Sequence, residues 1–327
     1  MKICFLDNTN FQYSYLDKFN PKLRGAETIL INLSENLVKL GHDVTVINNC
    51  SIEINNDSSN WYNINKIDLL EKSTYDVVIS NADARLLSKV NANKKYIISF
   101  SLQSLEKFIR KKQLISYIKH KPIYLLIGEY HEQNRSKLIT LFGSKIIDLA
   151  IDDIFNNTSL NNKIDPNLAI FTSHAERNLD LLIDIWNNQI HPNFSNGKLL
   201  ITPKNKFIEK NNIFFRQIGT KQEMINDMLK SRIYLVPGHK AELFCLAAEE
   251  ARELCLPIVT LGIGSLKERV IHEKTGFIAK NSKEFANYTI ELFKDDFLWN
   301  SIRNNLLNLR GSKSWLTASQ NFLKQIK

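Results

Sequence analysis

Short apolar runs alternate with stretches of helical period along the 327 residues, and no other feature limits the possible folds as strongly. In the first half the runs read as strands at 2–6, 44–48, 76–80, 95–100, 123–127 and 145–149. Between the first two, Ile29, Leu30, Leu33, Leu37 and Leu40 share one face of a helix over 25–40, and Gly41 stops it. A strand, a helix and another strand in succession form a parallel sheet with helices on its faces. A polar stretch rich in Asn and Asp, 152–166, then reads as a linker. Beyond it the alternation restarts, with strands at 168–172, 198–202, 213–216, 233–237 and 257–261. Helices are expected at 175–186, 221–230, 244–254, 282–294 and 296–309. The sequence therefore predicts an α/β protein of two doubly wound, Rossmann-like units. The first is expected over 1–155 and the second over 156–310, with an amphipathic helix in 311–327 packing back towards the first. The length suits two domains of about 100–200 residues each.

Composition removes several classes. A hydrophobic fraction of 43% with 18 Phe and 10 Tyr supplies two cores, so a disordered chain is excluded. No run approaches the roughly 20 apolar residues of a membrane span. The opening apolar run is too short for a signal peptide and is broken by Asp7. Cys4, Cys50, Cys245 and Cys255 have no C-x-x-C spacing and sit in or beside apolar runs, which predicts reduced thiols and a cytoplasmic chain. The seven His show no metal-ligand spacing, so no metal is expected. No G-x-G-x-x-G is present, which argues against a nicotinamide oxidoreductase. The net charge of +9 favours anionic partners without choosing among them.

Open α/β sheets bind ligands beyond the carboxyl ends of their strands. The strongest signal there is Pro237-Gly-His-Lys-Ala-Glu242-Leu-Phe244-Cys245-Leu246-Ala-Ala-Glu-Glu250-Ala251, which leaves a strand and opens a helix. Open amides at Phe244, Cys245 and Leu246, with the helix dipole, suit a diphosphate. Glu242 is placed to accept bonds from sugar hydroxyls. Glu250, two turns along, is placed to reach a ribose. On these residues alone, a capping Glu242 and a solvated Glu250 are an equally open reading.

The segment Glu242-Leu-Phe-Cys-Leu-Ala-Ala-Glu-Glu250, followed by Pro257-Ile-Val-Thr260, resembles the E-x7-E motif of glycosyltransferase family 4. Its members are retaining enzymes of the two-Rossmann-domain GT-B fold. The resemblance continues through 262–277 and upstream through Phe171-Thr-Ser173-His-Ala-Glu-Arg177-Asn178. It implies that Glu242 contacts the transferred sugar and Glu250 the ribose, whereas Glu249 has the wrong spacing. In the family a Gly-Arg and then a Lys-Gly meet the donor diphosphate. Here Ser173 stands at the Arg place, Arg177 at the Lys place and Asn178 at the Gly place. Arg177 keeps a fork suited to phosphate oxygens. Leu23-Arg24-Gly25-Ala26-Glu27 resembles the family turn where donor and acceptor meet, with Arg24 replacing one Gly; a plain helix start reads as well there. The family's His after the fourth strand is missing from Ser99-Phe100-Ser101, and His131 is the nearest substitute, equally readable as a surface residue.

The implied activity is retaining hexosyl transfer from a nucleotide-diphosphate sugar to a glycan or lipid-linked acceptor in surface polysaccharide synthesis. The family needs no metal, cofactor or protein nucleophile. A non-catalytic nucleotide-sugar-binding relative and a GT-B epimerase are the alternatives. Residues 94–121 carry eight Lys and Arg, among them Arg110, Lys111 and Lys112, against Glu106, with apolar residues interleaved. That composition suits an anionic membrane surface or a lipid-phosphate acceptor, and a solvated helical face equally well. No nucleic-acid module accompanies it, so no nucleic-acid partner is expected.

Overall fold

The computed structural model describes residues 1–327 apart from Pro21, 56–58, 71–72, 204–208 and Ile218, and apart from the side chains of 69–70. The chain divides into two compact units, Met1–Ala150 with Trp315–Lys327, and Ile151–Ser314.

The first unit is built on β1 (Lys2–Leu6), β2 (Asp43–Asn48), β3 (Asn60–Asn63), β4 (Thr74–Asn81), β5 (Asn91–Ile98), β6 (Ile123–Leu126) and β7 (Ser144–Ile146). They form one parallel sheet in the order β3-β2-β1-β4-β5-β6-β7. Helix α1 (Gly25–Lys39) joins β1 to β2 and buries Ile29, Leu30, Leu33 and Leu37, the face marked by its periodicity. Short helices α2 (Leu105–Arg110), α3 (Leu114–His120) and α4 (Glu129–Asn134) follow β5 and β6.

The second unit begins with α5 (Asp153–Asn157), whose Phe155 belongs to its core together with Ile151. Its strands are β8 (Leu168–Phe171), β9 (Lys198–Ile201), β10 (Ile213–Phe215), β11 (Ile233–Leu235), β12 (Ile258–Thr260) and β13 (Gly276–Ile278). They too form one parallel sheet, in the order β10-β9-β8-β11-β12-β13. Strands β11 and β12 are buried along their whole length, as unbroken apolar runs require in a sheet covered on both faces. The helices are α6 (Leu179–Ile185), α7 (Lys221–Lys230), α8 (Leu246–Glu253), α9 (Leu266–Arg269), α10 (Ser282–Lys294) and α11 (Asp296–Leu309). Thr220 and Glu223 close a capping box on α7, and Asn281 and Asp295 cap α10 and α11.

Helix α12 (Trp315–Ile326) returns to the first unit. It buries Trp315, Ala318, Ser319, Phe322, Leu323 and Ile326 along one stripe, stacks Phe322 on Phe5 of β1, and accepts the Tyr96 hydroxyl at Ile326 O, 3.2 Å. The α/β fold of two Rossmann-like units is thus the one expected. Each sheet also has an edge strand that the periodicity missed, β3 and β13. β3 reads Asn-Trp-Tyr-Asn, polar at both ends, and β13 opens on Gly276, so neither stands out as an apolar run.

Candidate functional site

In both sheets the strand order reverses direction beside the first strand, and a crevice opens there between helices on opposite faces. In the second unit this point lies between β8 and β11. The loops leaving them are 172–178 and 236–245, which are the segments the sequence singled out.

Two side-chain contacts tie these loops together, and a third ties the first loop to β11. The Asn178 amide donates to Gly238 O at 2.5 Å, Arg177 Nη1 lies 3.3 Å from His239 Nδ1, and Ser173 Oγ lies 3.3 Å from the Tyr234 hydroxyl. His239 Nδ1 also accepts the Ala241 amide at 3.1 Å, so a neutral His239 carries its proton on Nε2. Asn178 has φ +63°, a left-handed backbone that Gly prefers and Asn tolerates, which explains Asn at the Gly place. It precedes α6, which starts at Leu179 rather than Ala175. Residues 174–178 are therefore a turn, and Arg177 projects from that turn.

Two glycines hold the second loop in place. Gly238 and Gly264 have φ of +95° and +74°. A Cβ on Gly238 would lie 2.5 Å from Ile263 O, and one on Gly264 would lie 2.4 Å from His239 O. The backbone of 238–242 is thus packed directly on 262–265, and Ser265 N donates to Glu242 O at 3.0 Å.

Glu242 stands between these braces. Its Oε2 is buried and has no partner among the described residues, and the Cys245 thiol donates to its carboxylate. Burial raises its pKa, opposed by the Arg177 guanidinium and the thiol bond. Such an oxygen keeps an acceptor position open to a hydroxyl donor.

Helix α8 begins two residues later than expected. Cys245 is its N-cap, at φ +60°, so the first amides are those of Leu246 and Ala247. Phe244 and Cys245 lie in the turn before it. Phe244 is buried, with the Arg269 guanidinium 4.3 Å and the Lys313 ammonium 5.8 Å from its ring centre.

The adjacent acids of α8 have separate fates. Glu249 is buried and paired with Arg269 at 2.7 Å, Arg252 at 2.9 Å and Lys313 at 3.5 Å, a network that braces Phe244. Those cations hold its pKa low despite burial. Glu250 makes no such pair among the described residues. Burial pushes it up to about 7, against the pull of Lys221, and Asp152 adds to the rise. Lys221 and Asp152 pair with each other at 2.8 Å. Glu250, at the seven-residue spacing, is therefore the one of these two adjacent acids that no cation neutralises by direct pairing among the described residues. The contacts of His239, Arg269 and Lys313 were not legible in the sequence, since they arise only from tertiary packing.

In the first unit Gly25 opens α1 with ordinary helical backbone, so conformational freedom does not explain it. Arg24 instead pairs with the buried Glu27 and stacks over Phe11 at 5.0 Å. His131 is not a surface residue. It is fully buried, its Nδ1 accepts the Ile127 amide at 3.4 Å, and burial lowers its pKa to about 4, so it is neutral and packed within the unit. Arg110, Lys111 and Lys112 are exposed between α2 and α3. All four thiols are free and buried. Among the described residues no cluster suits a metal, and no helix is long and apolar enough to cross a membrane.

Residues 198–307 match the family model of glycosyl transferases group 1. The whole chain shares the GT-B fold of several solved structures. The Anabaena protein HepE, in complex with UDP-glucose, superposes with a TM-score of 0.69 at 15% identity, covering 100% of this chain and 99% of that one. The catalytic domain of starch synthase IV from Arabidopsis thaliana, bound to ADP and acarbose, gives 0.70 at 9% identity, with 99% and 98% covered. Sucrose-phosphate synthase from Thermosynechococcus elongatus gives 0.66 at 12% identity, again over 99% and 98%. None of the curated proteins matches in sequence.

Proposed function

We propose that the protein is a retaining glycosyltransferase that moves a hexose from a nucleotide-diphosphate sugar to a glycan or lipid-linked acceptor, in surface polysaccharide synthesis. The observation that carries this reading is Glu242: a braced, buried carboxylate with one unpartnered oxygen, facing Arg177 at the switch point of a group 1 glycosyl transferase domain. Glu242 accepts hydroxyls of the donor sugar and holds it in one orientation. Arg177, with the amides opening α8, stabilises the charge that grows on the leaving diphosphate. Glu250 accepts the ribose hydroxyls. The leaving phosphate takes the acceptor's proton, so no protein nucleophile and no metal is needed. The complexes of HepE with UDP-glucose and of starch synthase IV with ADP support a nucleotide-linked donor.

A second reading rests on Ser173. It is buried and spends its hydroxyl on Tyr234, so one cation of the family pattern is missing from the diphosphate site. A nucleotide-sugar-binding relative without transfer follows from that loss. A thermal-shift screen of nucleoside diphosphates and their sugars tests both readings, because a ligand at a hundred times its Kd adds about 2.7 kcal/mol. Nucleotide release from the stabilising sugar, followed with and without acceptor glycans, then separates transfer from binding alone. No stabilisation by any of them ends both readings.

A further inference from the structure

The first unit carries a concentration of positive charge that the donor site does not use, at the amino ends of β5, β6 and β7. A basin of about 540 Å³ opens there, lined by Lys94, Lys95, Lys119, Lys121, Lys145 and Lys327 with His120 and, among the described residues, by no acidic side chain. Lys145 is tied to Gln325 O and Lys95 to Leu87 O at 3.0 Å, which fixes these ammonium groups without neutralising them. Lys94 is held by the backbone oxygen of Lys327. The crowding shows in the titration of His120, which burial, Lys95 and Lys119 hold below its usual range. Such a basin attracts a group with several anionic oxygens.

What lies beside it narrows the partner. Helix α3 ends in the basin at Lys119, His120 and Lys121. Ile115 lies four residues and Ile118 one residue before Lys119 on the same helix, and they are 82% and 52% exposed. Ile115 and Lys119 share a face. The opposite face is anchored by Tyr117, which meets Phe108 edge-on at 5.2 Å. Exposed Ile109 and Leu114 and the cations Arg110, Lys111 and Lys112 continue this surface on the same hairpin. A soluble phosphate gains nothing from isoleucines on the rim, and isoleucine offers no stacking platform to a nucleic-acid base. Cations beside apolar side chains match the headgroup and acyl layers of an anionic bilayer.

We propose that α3 and the lysine basin dock the first unit on an anionic phospholipid bilayer, with headgroup phosphates in the basin and Ile115 and Ile118 in the acyl boundary. The proposal is independent of the transferase reading. The test is co-sedimentation of the full chain with vesicles of phosphatidylcholine, and with vesicles in which a third of it is replaced by phosphatidylglycerol. Binding is expected to the mixed vesicles alone and to weaken as salt rises. Lys119→Glu with Lys121→Glu lowers it at least about tenfold, since each basic residue near such a surface contributes about fivefold. Ile115→Ser with Ile118→Ser lowers it several-fold at unchanged charge. These side chains are exposed apart from the partial cover on Ile118, so the fold is retained, as a melting curve of each variant checks. The proposal is overturned if the wild type ignores the mixed vesicles, binds neutral ones equally, or keeps its binding in the Glu pair. It is also overturned if the Ser pair binds as wild type while inorganic phosphate stabilises the wild type and not the Glu pair, which makes the basin a free-anion site.

Discussion

The two units share a sheet order and differ in what they leave open at the same place in it. In the first, the loops leaving β1 and β4 are acidic and partnered within the unit. Asp7 accepts the Tyr13 hydroxyl at 2.6 Å and the Thr9 amide at 3.0 Å. Asp83 holds Arg85 at 2.6 Å and the Asn8 amide at 2.7 Å. Glu27 pairs with Arg24 and keeps one buried oxygen unpartnered. In the second, the equivalent loops set a carboxylate, Glu242, against a cation, Arg177, and brace both from behind through glycine contacts. Topology offers a crevice in each sheet; among the described residues each keeps a buried carboxylate oxygen without a partner, Glu27 Oε2 and Glu242 Oε2, and the two differ in that Arg24 forms an ion pair with Glu27 whereas Glu242 is bonded by the Cys245 thiol.

The strongest way to break this contrast is Glu242→Ala. It is expected to lower transfer about a thousandfold with little change in melting temperature, and turnover within tenfold of wild type places the sugar site elsewhere. Arg177→Ala comes next, at about a hundredfold in kcat/KM, with Arg177→Lys recovering part of it because a point charge replaces the fork. Steady-state kinetics on the three proteins checks the order.

A pair of glycine variants sharpens the comparison on stability. Gly41, after α1, and Gly264 have similar φ, +81° and +74°. Nothing lies within 4 Å of a Cβ on Gly41, whereas one on Gly264 meets two backbone oxygens. Gly41→Ala is expected to cost about 1 kcal/mol of backbone strain, and Gly264→Ala about 2–4 kcal/mol with weakened donor binding. Equal shifts in denaturant midpoint would show that the loop-on-loop packing contributes nothing.

The smallest effect concerns protonation. Burial lifts Glu250 from 4.5 to about 7 in the folded state. The folded form then keeps a proton that the unfolded form has lost, so stability falls as pH rises across that window and levels off above it. Glu250→Gln removes this slope. Nucleoside diphosphate affinity should rise a few-fold from about pH 6 to 8 in the wild type and stay flat in the variant, because an ionised carboxylate accepts both ribose hydroxyls. Calorimetry at the two pH values checks it.

Much of this was legible in one dimension. Apolar periodicity set the class of fold and most element bounds, because a helix face and a doubly covered strand each need their own spacing of apolar side chains. Glu242 could be named because it lies in a loop such a sheet places at its carboxyl edge, and Arg177 and Glu250, the latter inside α8, because their segments resemble the family pattern. Edge strands β3 and β13 could not, being held by ladder bonds to a neighbour rather than by an apolar run of their own. Nor could the choice between Glu249 and Glu250 be made without a resemblance. They are adjacent acids in one helix, and only the packing of Arg269, Arg252 and Lys313 against one of them settles which is neutralised. His131 shows the same limit from the other side, since a residue type suited to chemistry is here buried as a neutral core group. Local pattern determines which segments become strands and helices; charge pairing and close backbone approach join residues far apart in the chain, and only the tertiary structure decides them.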